Sequence, residues 1–153
     1  MKNNRILILA KWYLRLALGA GFLSAVADRF GLWGPNGAPQ VAWGDWKHFC
    51  AYTTQLNWFL PKALISATAW AATFAEAILG LALLLGCYLR PVALASAALL
   101  SLFAIVMVSA IGIKAPLNYS VFSAAAGALL LGVISGQTPW EAKQPSTTQT
   151  TEL

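Results

Sequence analysis

Charge is what this sequence has least of. Of its 153 residues five are acidic and ten are Lys or Arg, with one histidine and two cysteines, while 59% are apolar or aromatic. Soluble domains are about 25% charged and about 45–50% apolar. Because a domain of about 150 residues buries only about 70% of its unfolded surface, a soluble fold of this composition would leave a large apolar area in water. The scarcity of charge excludes disorder and almost any soluble enzyme. It points to a small integral membrane protein whose first partner is the lipid bilayer.

The other scarcities exclude further classes. Cys50 and Cys87 are too few for a disulfide framework and match no zinc or CxxC spacing. The lone histidine, His48, follows Lys47 and reads as a solvated side chain, so no metal site is expected. Nor is there a nucleophile with its base, a phosphate loop or a haem-type histidine pair. The net charge is +5, but the cations are scattered singly, without the clustering that nucleic-acid phosphates require. No nucleic-acid partner is expected.

What the chain has in abundance is apolar runs long enough to cross about 30 Å of hydrocarbon. Four spans are predicted, at about 6–27, 63–85, 91–113 and 117–135. The last three are joined by short connections that force antiparallel neighbours. The predicted fold class is therefore all-α, an integral membrane four-helix up-down bundle with an aromatic interfacial segment between helices 1 and 2. Residues 1–136 form a single transmembrane domain, and 137–153 form a polar tail expected to be disordered. Ala25-Val26-Ala27 is like a signal-peptidase site, but the apolar run Ile6–Ala10 upstream of Lys11 and Arg15 is unlike an n-region, so the first span is expected to be retained.

The long first connection begins FGLWGPNGAPQ, a Gly/Pro/Asn loop. Asp45 is then placed to cap a short helix through about Phe59, with Phe49, Tyr52, Leu56 and Phe59 on one stripe. Trp33, Trp43, Trp46 and Trp58 suit a segment lying in the membrane interface. Cations counted by side give a slight excess with the termini, which predicts cytoplasmic termini and puts Cys50 and Cys87 on opposite sides of the membrane, too far apart to pair.

Charges inside hydrocarbon are costly and face a partner or a polar site. Arg15 and Glu76 each lie about nine residues, roughly 13 Å, from the same predicted bundle end, which predicts an ion pair in the core. Such a pair either locks the helix register or lines a polar pocket. Stripes of small residues every four positions, Ala17, Gly21, Ala25 and Ala67, Ala71, Ala75, with Ser123 and Gly127 in the fourth span, would allow close approach. Arg29 is about fourteen residues beyond Arg15 and only about 40° off its face. It is predicted to point inward at the outer mouth, where either the boundary charges simply face the headgroups or Arg29, Trp43, Asp45, Asn118 and Tyr119 form a candidate ligand pocket suited to a flat amphipathic molecule.

The segments LRLALGAGFLSAVADRFGLWG (14–34) and AEAILGLALLLGCYLR (75–90) resemble the DoxX family of small four-span membrane proteins, on the pattern Arg15, Gly19, Glu76, Gly80, Gly86 and Arg90. The later stretch GIKAPLNYSVFSAAAGALLL and the loop VAWGDWKHFCAYT resemble a branch with a long aromatic first loop. The resemblance covers about residues 14–136. It implies a four-helix membrane bundle serving a membrane redox complex, some members being subunits of thiosulfate:quinone oxidoreductase and others partners of thiol or oxidative-stress enzymes. The resulting expectation is a quinone-associated subunit, with quinone the one cofactor expected, a redox protein as partner and homo-oligomers allowed. If the chain takes part in catalysis, it does so as a subunit of a quinone-linked oxidoreductase. The competing expectation is a non-catalytic membrane assembly or scaffold protein whose polar clusters are structural.

Overall fold

The computed structural model describes residues 2–136, with side chains from residue 5. The expected tail, and with it Lys143, lies outside the described residues. Among the described residues six helices follow one another: α1 Lys2–Arg29, α2 Trp46–Leu56, α3 Lys62–Leu85, α4 Leu89–Ile111, α5 Lys114–Asn118 and α6 Val121–Gly136. No strand occurs among the described residues. Among the described residues three helices, Arg5–Arg29, Lys62–Leu85 and Leu89–Ile111, are long and apolar enough to cross a membrane.

The fourth predicted span is not continuous. Its expected start at Leu117 falls in α5, and Ser120 adopts φ 55. That left-handed conformation is incompatible with an uninterrupted helix. α6 is left with 16 residues, about 24 Å.

The long helices associate in two close pairs, α1 with α3 and α4 with α6, and the pairs meet through α1–α6 and α3–α4 contacts. The shared core is small: Leu18 and Phe22 of α1, Leu83 of α3, Ala93 and Ala97 of α4, and Ala128 and Leu131 of α6. With lipid outside, burial drives little of this association; close packing does most of it. The close approach uses mostly other small residues than the predicted stripes, although Gly127 sits against Leu14, 3.3 Å from an added methyl. Gly21 has open space around it, and Ala17, Ala67 and Ala71 are exposed. Contact is made instead at Gly19 and Gly80: a methyl added at Gly19 would sit 2.8 Å from Leu84. At Gly132 it would sit 2.7 Å from Leu94. Gly21 is two residues from Gly19, about 200° around the helix, so the predicted stripe faces away from α3. Gly19→Ala is expected to destabilise the protein by about 1–3 kcal/mol through overpacking, whereas Gly21→Ala should leave thermal unfolding in detergent nearly unchanged.

α3 ends in a reverse turn built on Gly86, at φ 77, whose N–H and that of Cys87 both donate to the Ala82 carbonyl, at 2.9 and 3.1 Å. The double bond to one carbonyl and the left-handed residue make a helix-terminating motif that glycine suits.

α2 starts and ends inside the predicted stretch, from Trp46 to Leu56. Its inner face buries Phe49 and Thr53, while Lys47, His48, Ala51, Thr54 and Gln55 are exposed. It contacts α3, α4 and α1. The apolar side of this amphipathic helix therefore covers the end of the helix pairs, and its polar side faces outward. Phe59, expected on the apolar stripe, falls beyond the helix and is exposed.

Candidate functional site

Most of the buried polar chemistry gathers under the α2 roof. Arg29, on the last turn of α1, is 2% exposed. Its Nη1 donates to Thr73 Oγ1 at 2.8 Å and its Nη2 to Glu76 Oε2, both on α3. Thr73 and Glu76 are three residues apart, hence on one helical face. Phe49 of α2 covers the guanidinium from 3.9 Å and Trp43 of the loop from 5.3 Å. An arginine suits this position because its planar ion can pair at its edge while stacking on its faces. Beside it, Asp28 Oδ2 accepts from the backbone N–H groups of Ala42 and Trp43, at 3.0 and 2.9 Å. Two adjacent residues thus fasten the roof: Asp28 holds the loop backbone, and Arg29 holds the aromatic rings to α3. Asp28 Oδ1 and Arg29 Nε have no protein partner.

The predicted Arg15–Glu76 pair does not form. Arg15 donates from Nε to the Leu83 carbonyl at 3.0 Å and from Nη2 to the Leu84 carbonyl at 3.1 Å. It also lies over Trp12, 4.2 Å from the ring centroid. The depth count failed because it assumed that span one at Ile6 and span two at Leu85 end flush. Arg15 itself is level with the end of α3, so α1 overhangs that end, and residues 5–10 are exposed on all sides. Arg15 therefore serves the unpaired carbonyls and negative dipole end of α3, and Glu76 is left to Arg29.

The five residues predicted to form an outer-mouth pocket are not gathered into one. Arg29 and Trp43 meet as predicted, with Trp43 and Phe49 filling the space over the guanidinium. Tyr119 is exposed and near Tyr52, which packs on Trp43 with ring centroids 5.8 Å apart. Burial, and secondarily the neighbouring Tyr119, push the Tyr52 phenol above its usual range. Asn118 is exposed on α5. Asp45 is the N-cap of α2, accepting from the His48 N–H at 2.8 Å, with the His48 ring Nδ1 at 2.9 Å. It belongs to the helix start and has no place at a ligand.

The His48 amide, with the His48 ring second, holds the Asp45 carboxyl below the usual carboxylate range. A carboxyl depressed on folding stabilises above its unfolded pKa and loses that contribution as pH falls through the folded one. The α2 cap should therefore be intact at neutral pH and weaken in acid, below the usual carboxylate range. The protection factor of the His48 amide, its exchange relative to the intrinsic rate at the same pH, should fall there, and Asp45→Ala should show the low protection at every pH.

Sequence reading missed Thr73, Phe49 and the loop clasp of Asp28. Thr73 carried a usable signal, since a hydroxyl three residues before a lone buried Glu shares its face. Phe49 was recognised as apolar stripe, but its ring over a cation needs the tertiary arrangement.

A lipid-facing groove of about 480 Å³ runs between α4 and α6, floored by Ala97, Ala98, Ala125 and Ala126 and walled by Leu94, Phe122 and Leu129. It is apart from the roofed cluster. Among the described residues no group of three or more His, Cys, Asp or Glu is placed to hold a metal ion. Cys50, on α2, and Cys87, in the α3–α4 turn, are both free thiols.

Fold and site together define an α-helical membrane protein with three helices of spanning length and an aromatic roof pinned by a buried ion pair. No family model, curated protein or solved structure matches the chain.

Proposed function

We propose that the chain is a four-span, DoxX-like subunit of the bacterial inner membrane that serves the assembly of a membrane redox complex, its polar clusters shaping a platform for a redox partner. The carrying observation is where the arginines go. Arg29 is engaged by Glu76, Thr73, Phe49 and Trp43, and Arg15 by the end of α3. Both are committed to holding this chain's own helices and roof. A short α6 crosses the bilayer with local thinning or with help from the α5 turn. The same contacts support the proposed orientation. Arg15 joins Arg5, Lys11 and Arg90 on the terminal side, while Glu76 neutralises Arg29 on the other, which sharpens the cation excess that favours cytoplasmic termini.

The test is to replace the pair by apolar residues of similar size, Arg29→Met with Glu76→Leu, in the full chain and to follow complex size on native gels together with turnover. Assembly and turnover should both be retained. A complex that assembles normally but has lost turnover would overturn the reading, because the pair would then be doing chemistry.

A second reading is favoured by the α4–α6 groove, whose volume falls within the range of about 300–1,000 Å³ typical of ligand sites. There the chain would be quinone-associated, with the ring or isoprenoid chain against Phe122. Extraction and mass spectrometry of protein purified in mild detergent should then find stoichiometric quinone, lost in Ala125→Phe. Quinone that survives that change is not held in the groove.

A further inference from the structure

Among the described residues the acids are confined to one end, where Arg29, Lys47, Lys62 and Lys114 accompany them. The acids Asp28, Asp45 and Glu76 all belong to the roofed half, tied to the loop, to α2 and to Arg29. Toward the opposite end lie Arg5, Lys11, Arg15 and Arg90, with no acidic residue described among them. The contacts place two of these cations firmly. Arg15 sits on the carbonyls of Leu83 and Leu84 at the end of α3. Arg90 lies against the end of α6, where a methyl added at Gly136 would be 2.7 Å from its Nε. Each helix end carries only about half a negative charge, so the four cations far exceed what these two ends offset. Aromatic side chains of the kind that settle at headgroup depth accompany them: Trp12 beneath Arg15, and Tyr13 and Tyr88, 75% and 85% exposed.

The geometry points to this end as a binding surface for anionic phospholipid, headgroup phosphates being drawn to the cations there: Lys11, Arg90 and the unbonded Nη1 of Arg15. Charge complementarity selects this occupant. A surface with several cations and no described acid favours a headgroup of net negative charge over a zwitterionic one, whose own cation offsets its phosphate. The adjoining rings supply the interfacial contact that a free phosphate ion would not use. Beyond Gly136 the sequence carries Glu141, Lys143 and Glu152, so the tail's two carboxylates are the competing counter-ions.

The full chain, reconstituted in phosphatidylcholine bilayers, is tested with spin-labelled phosphatidylglycerol and spin-labelled phosphatidylcholine as probes of the lipid shell. Phosphatidylglycerol should be preferred at low salt. Lys11→Gln and Arg90→Gln should each lower the preference about threefold to fivefold, and high salt should lower it further. Lys62→Gln and Lys114→Gln, at the other end, should leave it unchanged. Equal loss from both sets of variants, or no preference in the parent chain, would overturn the proposal. So would a preference that appears only after Glu141→Gln and Glu152→Gln, which would make the tail the occupant, or competition by inorganic phosphate at matched ionic strength, which would make the site one for the free ion.

Discussion

Replacing Glu76 with alanine is expected to destabilise the protein by about 3–5 kcal/mol, the usual cost of leaving one partner of a buried ion pair uncompensated. Glu76 and Arg29 are 3% and 2% exposed, so neither can turn to water when the other is removed. The loss should spread beyond the pair. Arg29 also carries the rings of Phe49 and Trp43, so the roof should loosen, and amide exchange in α2 should rise together with the fall in thermal stability. Arg29→Met combined with Glu76→Leu should recover much of the loss, because an apolar pair of similar volume removes both charges. Arg15 supplies the sharper discrimination. Glu76→Ala and Arg15→Ala should add to within about 0.3–0.5 kcal/mol, as independent sites do, whereas Glu76→Ala and Arg29→Ala should depart from additivity by about 0.5–3 kcal/mol. Coupling between Arg15 and Glu76 in such a cycle would contradict the contacts described above.

The second large effect is expected at Gly44, in the loop that carries Trp43 over Arg29. Gly44 is buried and has φ 72. A methyl there would lie 2.3 Å from the Asn36 nitrogen and 2.6 Å from the Pro35 carbonyl carbon. These are backbone atoms of the same loop, held by a hydrogen bond from the Asn36 side chain to the Trp43 carbonyl, so no side chain can swing aside to make room. Left-handed backbone costs about 1–2 kcal/mol for a residue with a Cβ, and overpacking about 1–3 kcal/mol. Gly44→Ala should therefore cost about 2–5 kcal/mol of roof stability. Its signature is local: early proteolysis or fast exchange between Gly31 and Leu56, with α4 and α6 protected as before. Uniform destabilisation of all helices would show that the loop and the helix pairs unfold as one unit.

Gly86 illustrates how closely the other end is fitted. The position of an added methyl is 2.4 Å from Arg15 Nη2. The glycine's missing side chain is what lets the guanidinium reach the carbonyls of Leu83 and Leu84, so the turn and the arginine form one device.

Much of the fold was legible because it follows from composition and local chemistry. So little charge places the chain in a membrane. Runs of apolar residues marked α1, α3 and α4 to within a few residues, since hydropathy and length are properties of a segment alone. Asp45 as the cap of α2 was read correctly, since a carboxylate bonding an amide three residues on is a local matter. The angular offset between Arg15 and Arg29 was also reliable, for helical phase depends only on sequence separation, and both do face α3.

Partner choice was not legible in this way. Which carboxylate meets which arginine depends on how far one helix slides along its neighbour, and a span's apolar run does not mark where the neighbouring helix stops. The slide was settled by Gly19 against Leu84 and Gly80 against Phe22 and Leu23, contacts between residues far apart in the chain. Likewise α6 is shortened by Ser120, whose left-handed backbone no hydropathy pattern signals. Sequence by itself determined that this protein is helical, belongs in a bilayer and has a few costly charges that must be satisfied. Tertiary structure alone decided that Glu76 belongs to Arg29 and Arg15 to the end of α3, because matching charges across helices requires an axial register, and register is set by interhelical packing.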